Sequence, residues 1–207
     1  RTDELSSVDV TQCIWALGKL RISEEKVLEP IMHRAKDLAP TMNSVELSNV
    51  LWGLGKFGFQ HDKEMIRSLI TRLVVETSQV SPKEAASTLY TLGRLNFRDE
   101  EAFEKLSRVL IEHIEDVSAQ AIANTLWAYR AVELTPPTDL LNLWATQKLG
   151  LVGIQTMQTT ALIMLHTSLN DLNRICKHQP AAMASAEVGV SMPPKSGISL
   201  AMNCSNF

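Results

Sequence analysis

The chain has 207 residues, of which 45% are hydrophobic, so it is long enough to bury a substantial core. Its formal net charge of −3 excludes an overall basic character, so any nucleic-acid contact must come from a local group of basic residues. No apolar run approaches the ~18 residues of a membrane span, and the three cysteines lack metal-ligand or disulfide spacing, so we expect neither a membrane contact nor a metal.

A short helical motif recurs four times, beginning near the N-terminus. Its aromatic residue falls at Trp15, Trp52, Tyr90 and Trp127, in steps of 37, 38 and 37 residues, and one further step reaches Met164 in a degraded fifth copy. A fixed period of this length is typical of stacked supersecondary units. We expect the four aromatic residues to be largely buried between repeats, so that Trp52→Ala costs about 3–5 kcal/mol.

Each repeat is predicted to contain two helices. A residue suited to cap the first helix lies nine positions before each aromatic: Ser6, Asn43, Ser81 and Ser118. A glycine that we expect to end this helix follows three positions after the aromatic: Gly18, Gly55 and Gly93. The second helix is predicted to begin after Ser23, Asp62, Asp99 and Thr138. The pattern therefore predicts an all-α fold of about ten helices, a right-handed α-solenoid of four or five stacked antiparallel pairs.

One face of the first helix is polar in successive repeats. Counted from the aromatic, position −6 is usually acidic, position +1 is small, and positions −3 and +4 carry amides or hydroxyls and cations. Their members are Gln12, Asn49, Ser87 and Asn124 at position −3, and Lys19, Lys56 and Arg94 at position +4. Amides can read base edges, a small residue at position +1 leaves room for a base, and cations can hold phosphates. The spacing alone, however, favours a solvated face whose cations complement the helix dipole.

The motif also resembles a known family at these residues. The segment L-S-N-V-L-W-G-L-G-K-F at 47–57 is similar to the octotricopeptide repeats and to their 37-residue relatives, the heptatricopeptide repeats. The resemblance extends over roughly residues 5 to 170, and no RAP domain follows it. It implies an organellar RNA-binding protein of the mitochondrial matrix, or alternatively of a plastid, that acts in transcript processing or as a subunit of the mitochondrial ribosome.

This resemblance favours RNA contact at the polar face over mere solvation. The residues expected to bind RNA are Gln12, Lys19, Asn49, Lys56, Ser87, Arg94 and Asn124. The implied partners are ribosomal RNA or an organellar transcript and the neighbouring proteins of a large ribonucleoprotein complex. The acidic position −6 and the net charge favour the alternative, a protein–protein scaffold of the HEAT or TPR kind.

The C-terminal part of the chain has a different composition. We assign residues 1–177 to the helical repeats and residues 178–207, rich in Ser, Ala, Met, Gly and Pro, to a tail that is either extended over a partner or disordered. No phosphate loop, nucleophile elbow or metal-ligand spacing occurs, so we expect a protein that is not an enzyme and needs no cofactor.

Overall fold

A computed structural model describes residues 2–59, 62–75, 77–143 and 170. The predicted fifth repeat around Met164, the domain boundary at 177 and the tail at 178–207 lie outside the described residues, so these predictions remain open.

The described residues up to 143 form eight α-helices and contain no strand, which confirms the all-α prediction for this part of the chain. The helices are α1 (Ser7–Leu20), α2 (Glu25–Leu38), α3 (Ser44–Phe57), α4 (Lys63–Val75), α5 (Pro82–Arg94), α6 (Glu100–Glu112), α7 (Ala119–Ala131) and α8 (Thr138–Leu143). Single 3₁₀ turns precede α1 and follow α2, α4 and α6. The odd-numbered helices are the first helices of the four repeats, and the even-numbered helices are the second.

The first helices begin where the motif predicts. The side chains of the four predicted capping residues each accept a hydrogen bond from the backbone N–H three positions later: Ser6, Asn43, Ser81 and Ser118. In the first three repeats, the residue three positions later is an acid. Its carboxylate accepts a hydrogen bond from the backbone N–H of the capping residue, which completes a capping box. Local side-chain chemistry therefore fixes the start of every first helix.

Most second helices also begin near the predicted positions. Asp62 and Asp99 accept hydrogen bonds from the backbone N–H groups of Met65 and Ala102, and α8 begins at Thr138. The exception is α2, which follows Glu24 rather than the predicted Ser23, and Glu24 makes no side-chain capping bond.

The prediction that glycine ends each first helix is wrong. The helices continue past Gly18, Gly55 and Gly93, and the left-handed residue comes three positions later. These left-handed residues are Arg21, Gly58, Asn96 and Glu133, with φ values of 58°, 65°, 47° and 56°. The backbone N–H of the residue after each one donates to the carbonyl five positions earlier, at 2.9–3.0 Å. All four first helices therefore end in a Schellman motif, and only one of them uses glycine.

The repeat glycines instead allow first helices to approach one another. A Cβ atom on Gly18 would lie 2.7 Å from Cζ3 of Trp52, and one on Gly93 would lie 2.7 Å from the Cα atom of Ala128. Real Cβ atoms do not approach other atoms so closely, so a larger residue would displace the Trp52 ring at Gly18 and the backbone of the next first helix at Gly93. The constant three-residue spacing between aromatic and glycine thus serves packing between repeats rather than helix termination.

The helices pack as two rows. Each first helix contacts the next first helix in the order α1, α3, α5 and α7, and the second helices follow the same order beside them. The core lies between the rows, where the residue before each aromatic is almost completely buried: Ile14, Leu51, Leu89 and Leu126. The second helices contribute Met32, Leu69, Phe103 and Leu106 to the same core. One long edge of the first-helix row remains open to solvent.

Candidate nucleic-acid interface

The polar face predicted from the sequence divides into a packed part and an open part. Position −6 in the second repeat is Glu46, which is only 8% exposed and accepts a hydrogen bond from the hydroxyl of Ser7 in α1 at 2.9 Å. Position +1 is buried in repeats two to four, at Gly53, Thr91 and Ala128. The expectation that a small residue at +1 leaves room for a base is therefore wrong, because these residues face the preceding first helix.

Positions −3 and +4, with the repeat aromatics between them, form the open part, which we call the open edge. Of its seven predicted residues, the side chains of four are exposed: Gln12, Lys19, Lys56 and Arg94. The other three are half-buried: Asn49, Ser87 and Asn124. The structure thus places all seven along one edge of successive first helices, with the position −3 residues nearer the helix starts and the cations nearer the helix ends.

The cations of the first two repeats lie over aromatic rings. The Nζ atom of Lys19 is 5.3 Å from the ring centroid of Trp15 and 5.8 Å from that of Trp52. The Nζ atom of Lys56 is 5.3 Å from the Trp52 centroid. An ammonium group at this distance is attracted by the negative face of the ring. The result is an alternating row of indoles and ammonium groups, which the four-residue spacing of Trp and Lys on one helix would have predicted.

The aromatic residues themselves are less buried than predicted. Trp15 is 48% exposed, which contradicts the expectation, and Trp52, Tyr90 and Trp127 are half-buried rather than enclosed. Trp52 packs against Gly18 and Trp127 against Gly93, so each ring lies on the glycine of the preceding repeat. The exposure of Trp15 differs because no described residue provides such a glycine for its ring.

The same positions in the third and fourth repeats are partly engaged within the protein. The Nε atom of Arg94 donates to the carbonyl oxygen of Gly55 at 3.1 Å, and the side-chain oxygen of Asn124 accepts from Gln120 at 2.9 Å. The fourth repeat has Ala131 at position +4 and therefore lacks a cation there. Among the described residues, the lysines of the open edge and its amides without a hydrogen bond therefore belong to α1 and α3.

Acidic side chains lie at the opposite ends of these helices. Asp9 is exposed in the first turn of α1, where hydrogen bonds from the hydroxyl and then the backbone N–H of Ser6 lower the pKa of its carboxyl group. Ten residues separate it from Lys19, which is about 15 Å along a helix axis. Helix α1 is thus acidic at its start and basic at its end, and an anion would be attracted to the lysine end.

Within the described ranges, no group of three or more His, Cys, Asp or Glu side chains is placed to hold a metal ion. In the same ranges, no helix combines the length and the apolar character needed to cross a membrane.

Comparison with known proteins adds one positive finding. A family model described as RNA-editing substrate-binding complex 6 protein matches residues 1–173, which is most of the chain. No curated protein sequence matches the chain.

Proposed function

The chain belongs to the family of RNA-editing substrate-binding complex 6 proteins, and from this membership we propose that it is a non-catalytic, RNA-binding subunit of a mitochondrial RNA-editing complex. The open edge of α1 and α3 is its proposed RNA-binding surface. The observation that carries the proposal is the row of lysines and indoles along that edge, beside unengaged amides.

Local charge supports contact with phosphate. The whole chain has a net charge of −3, yet Lys19 and Lys56 lie on the same edge, with Arg94 at the corresponding position of the third repeat. The carboxylates of Asp9 and Glu46 lie toward the opposite helix ends, and Glu46 is enclosed between α1 and α3. A phosphate chain that crosses the first helices near their C-terminal ends would therefore meet cations repeatedly.

Side-chain amides support contact with bases. Gln12 and Asn49 form no hydrogen bond with another described residue, so the donors and acceptors of both amides remain available on that side of the molecule. Amides of this kind pair with complementary donors and acceptors on base edges. Unpaired RNA would present those edges to the protein, whereas the deep groove of duplex RNA would not. The proposed ligand is therefore single-stranded RNA.

The family description favours an RNA-editing assembly over the mitochondrial ribosome or plastid expected from the repeat motif. The right-handed superhelical arrangement is likewise part of the proposal, and the two rows of helices are what support it. A protein scaffold without RNA contact is the second candidate. The acidic residues Asp9 and Glu84 at the helix starts favour it, because they suit a basic protein partner.

A titration with single-stranded RNA at several salt concentrations tests the proposal. Each phosphate contact contributes a log–log salt slope of about −0.7, so replacing both Lys19 and Lys56 with alanine should flatten the slope by about 1.4 and weaken binding to all sequences. Replacing Asn49 should instead change the base preference and leave the slope unaltered. Arg94→Ala should weaken RNA binding less than replacing Lys19 or Lys56 alone, because the Nε atom of Arg94 already donates to the carbonyl oxygen of Gly55.

The matched control removes two exposed lysines from the second helices, Lys26 and Lys63. The control variant has the same net charge as the Lys19/Lys56 variant, so a general charge effect would weaken both equally. Equal binding by all three proteins, or no binding by any of them, would remove the open edge as an RNA surface and favour the scaffold.

A further inference from the structure

Trp15 is the most exposed aromatic side chain of the open edge. It is 48% exposed, whereas the equivalent aromatics of the next three repeats are half-buried. Two other apolar side chains of α1 are exposed as well: Val8 by 51% and Leu20 by 69%. A half-open indole is a costly surface to leave in water, and large exposed apolar groups beside polar ones commonly mark contact sites.

The immediate surroundings of Trp15 have the chemistry of a nucleotide. The Lys19 ammonium group lies 5.3 Å from the indole centroid and supplies a positive charge beside the ring. Gln12 is exposed on the same face, three residues before Trp15, and supplies an amide. A flat aromatic surface, a cation and an amide within one helical face match the base, the phosphate and the base edge of a single nucleotide.

We propose that Trp15, Lys19 and Gln12 form a nucleotide subsite in which an unpaired RNA base stacks on the open part of the Trp15 indole. In this subsite Lys19 contacts the adjoining phosphate, and the Gln12 amide lies on the side of the ring where the base edge would be. The inference deepens the proposed RNA-binding function and rests on it.

The position of Lys19 gives the subsite a direction. Its Nζ atom lies between two rings, 5.3 Å from the Trp15 centroid and 5.8 Å from the Trp52 centroid. A phosphate bound at Lys19 would therefore lie between the first and second repeats, and the next nucleotide would reach Trp52 and Lys56. The strand would thus cross the first helices rather than run along one of them. Asp9, the other charged residue of α1, lies at the far end of the helix and would not oppose the phosphate.

Binding of a mixed-sequence single-stranded oligoribonucleotide to the full chain tests the subsite. Base stacking on one aromatic side chain corresponds to about a 5- to 150-fold change in affinity when that side chain is removed, so Trp15→Leu should weaken binding by a factor in that range. Trp15→Phe should retain most of the affinity because it keeps an aromatic face. The log–log salt slope should be the same in both variants and in the wild type, since no cation is removed.

Two controls separate stacking from other effects. Val75 is 68% exposed at the end of α4, in the other row of helices, so Val75→Ser removes an apolar group even more exposed than Trp15 and should leave RNA affinity unchanged. A duplex of the same sequence should bind the wild type and Trp15→Leu equally, because its bases are already stacked. The unfolding midpoint of each variant is measured alongside, and it should stay near the wild-type value for an exposed residue.

The outcomes distinguish this inference from the function on which it rests. If Trp15→Leu binds single-stranded RNA as tightly as the wild type while the Lys19/Lys56 variant binds weakly, the stacking subsite is wrong and the proposed function stands. That result would point to Trp15 as a contact for another protein. If Trp15→Phe loses as much affinity as Trp15→Leu, the aromatic ring is not the determinant. If the wild type binds no RNA, both proposals fail.

Discussion

The open edges of the first two repeats and of the last two described repeats use one motif in different ways. In α1 and α3 the lysines lie over indole rings and the amides make no hydrogen bond with another described residue. In α5 and α7 the cation is tied to a backbone carbonyl or replaced by alanine, and the Tyr90 and Trp127 rings contact each other at 5.1 Å. A repeat position thus fixes the direction in which a side chain points, whereas the neighbouring repeat determines whether it is available to a ligand.

The first helix of the fourth repeat also differs from the other first helices in having a buried aromatic side chain. In the fourth repeat Tyr129 is only 2% exposed, meets Phe103 edge-to-face at 4.9 Å, and donates to the Phe103 carbonyl oxygen at 3.2 Å. Its hydroxyl oxygen also lies 2.6 Å from that of Ser107, which is fully buried. The equivalent position is leucine in the other repeats: Leu17, Leu54 and Leu92. The fourth repeat is therefore specialised for packing, and the first for exposure.

The largest effect expected from this difference is on the free energy of unfolding. Tyr129→Ala should cost about 3–5 kcal/mol, as for other large aromatic side chains in cores, because it opens a cavity and leaves the Ser107 hydroxyl without its partner. Trp15→Ala should cost less, about 2 kcal/mol, because half of its surface is already in water. Urea denaturation measures the free energy of unfolding of both variants. Equal losses of stability would show that the two regions contribute alike to the core.

The titration of Tyr129 should lower the free energy of unfolding by about 2–3 kcal/mol as the pH rises from about 10 to 12. Burial raises the pKa of Tyr129 to about 12, although the Ser107 hydrogen bond opposes the rise. In the unfolded chain the pKa is about 10, so the unfolded state loses its proton first as the pH rises. The stabilisation is complete below pH ~10 and declines between about pH 10 and 12, at about 1.4 kcal/mol per unit.

Tyr129→Phe is the control for this pH dependence. It removes the titrating hydroxyl and keeps the ring, so the difference in unfolding free energy between wild type and variant should shrink or reverse above pH ~10. Other groups that titrate in this range, such as lysines, affect both proteins and cancel in the difference. A constant difference up to pH ~12 would mean that the hydroxyl titrates normally in the folded protein.

The smallest expected effect comes from two glycines with the same nearest distance to their neighbours. A Cβ atom would lie 2.7 Å from the Ala128 backbone at Gly93, and 2.7 Å from the far end of the Trp52 ring at Gly18. Backbone cannot move aside cheaply, whereas a half-buried ring on the open edge can. Gly93→Ala should therefore destabilise by about 1 kcal/mol net, after a gain of up to ~1 kcal/mol in helix propensity, and Gly18→Ala should be close to neutral. Thermal unfolding distinguishes the two, and the opposite order would show that the α1–α3 junction is the tighter one.

Much of the fold was predictable because helix starts are encoded locally. A capping residue nine positions before each aromatic needs only its own first turn to act, so Ser6, Asn43, Ser81 and Ser118 could be identified without knowing any neighbour. The all-α fold of the described residues followed from the same repeats.

The role of the glycines and the burial of the aromatics could not be predicted from the sequence of a single repeat. Both depend on how closely two first helices approach, and a single repeat contains no information about that distance. The same limit explains the error at position +1. Helical periodicity placed Gly53 and Asn49 on one face, but the width of that face includes the contact with α1 as well as the open edge. The proposed RNA-binding residues remain a prediction that the titrations above test.

The carboxylate of Glu46 takes part both in the capping of its own helix and in a contact with the preceding repeat. One oxygen accepts from the backbone N–H of Asn43 and so closes the first turn of its own helix, while the other accepts from Ser7 in the preceding repeat. Fraying of α3 from its start would therefore also break this hydrogen bond to α1. In a repeat array, such coupling between adjacent units determines whether they unfold singly or together. This one side chain thus contributes to unfolding cooperativity between the first two repeats, and the capping sequence of one repeat becomes part of the interaction energy between both.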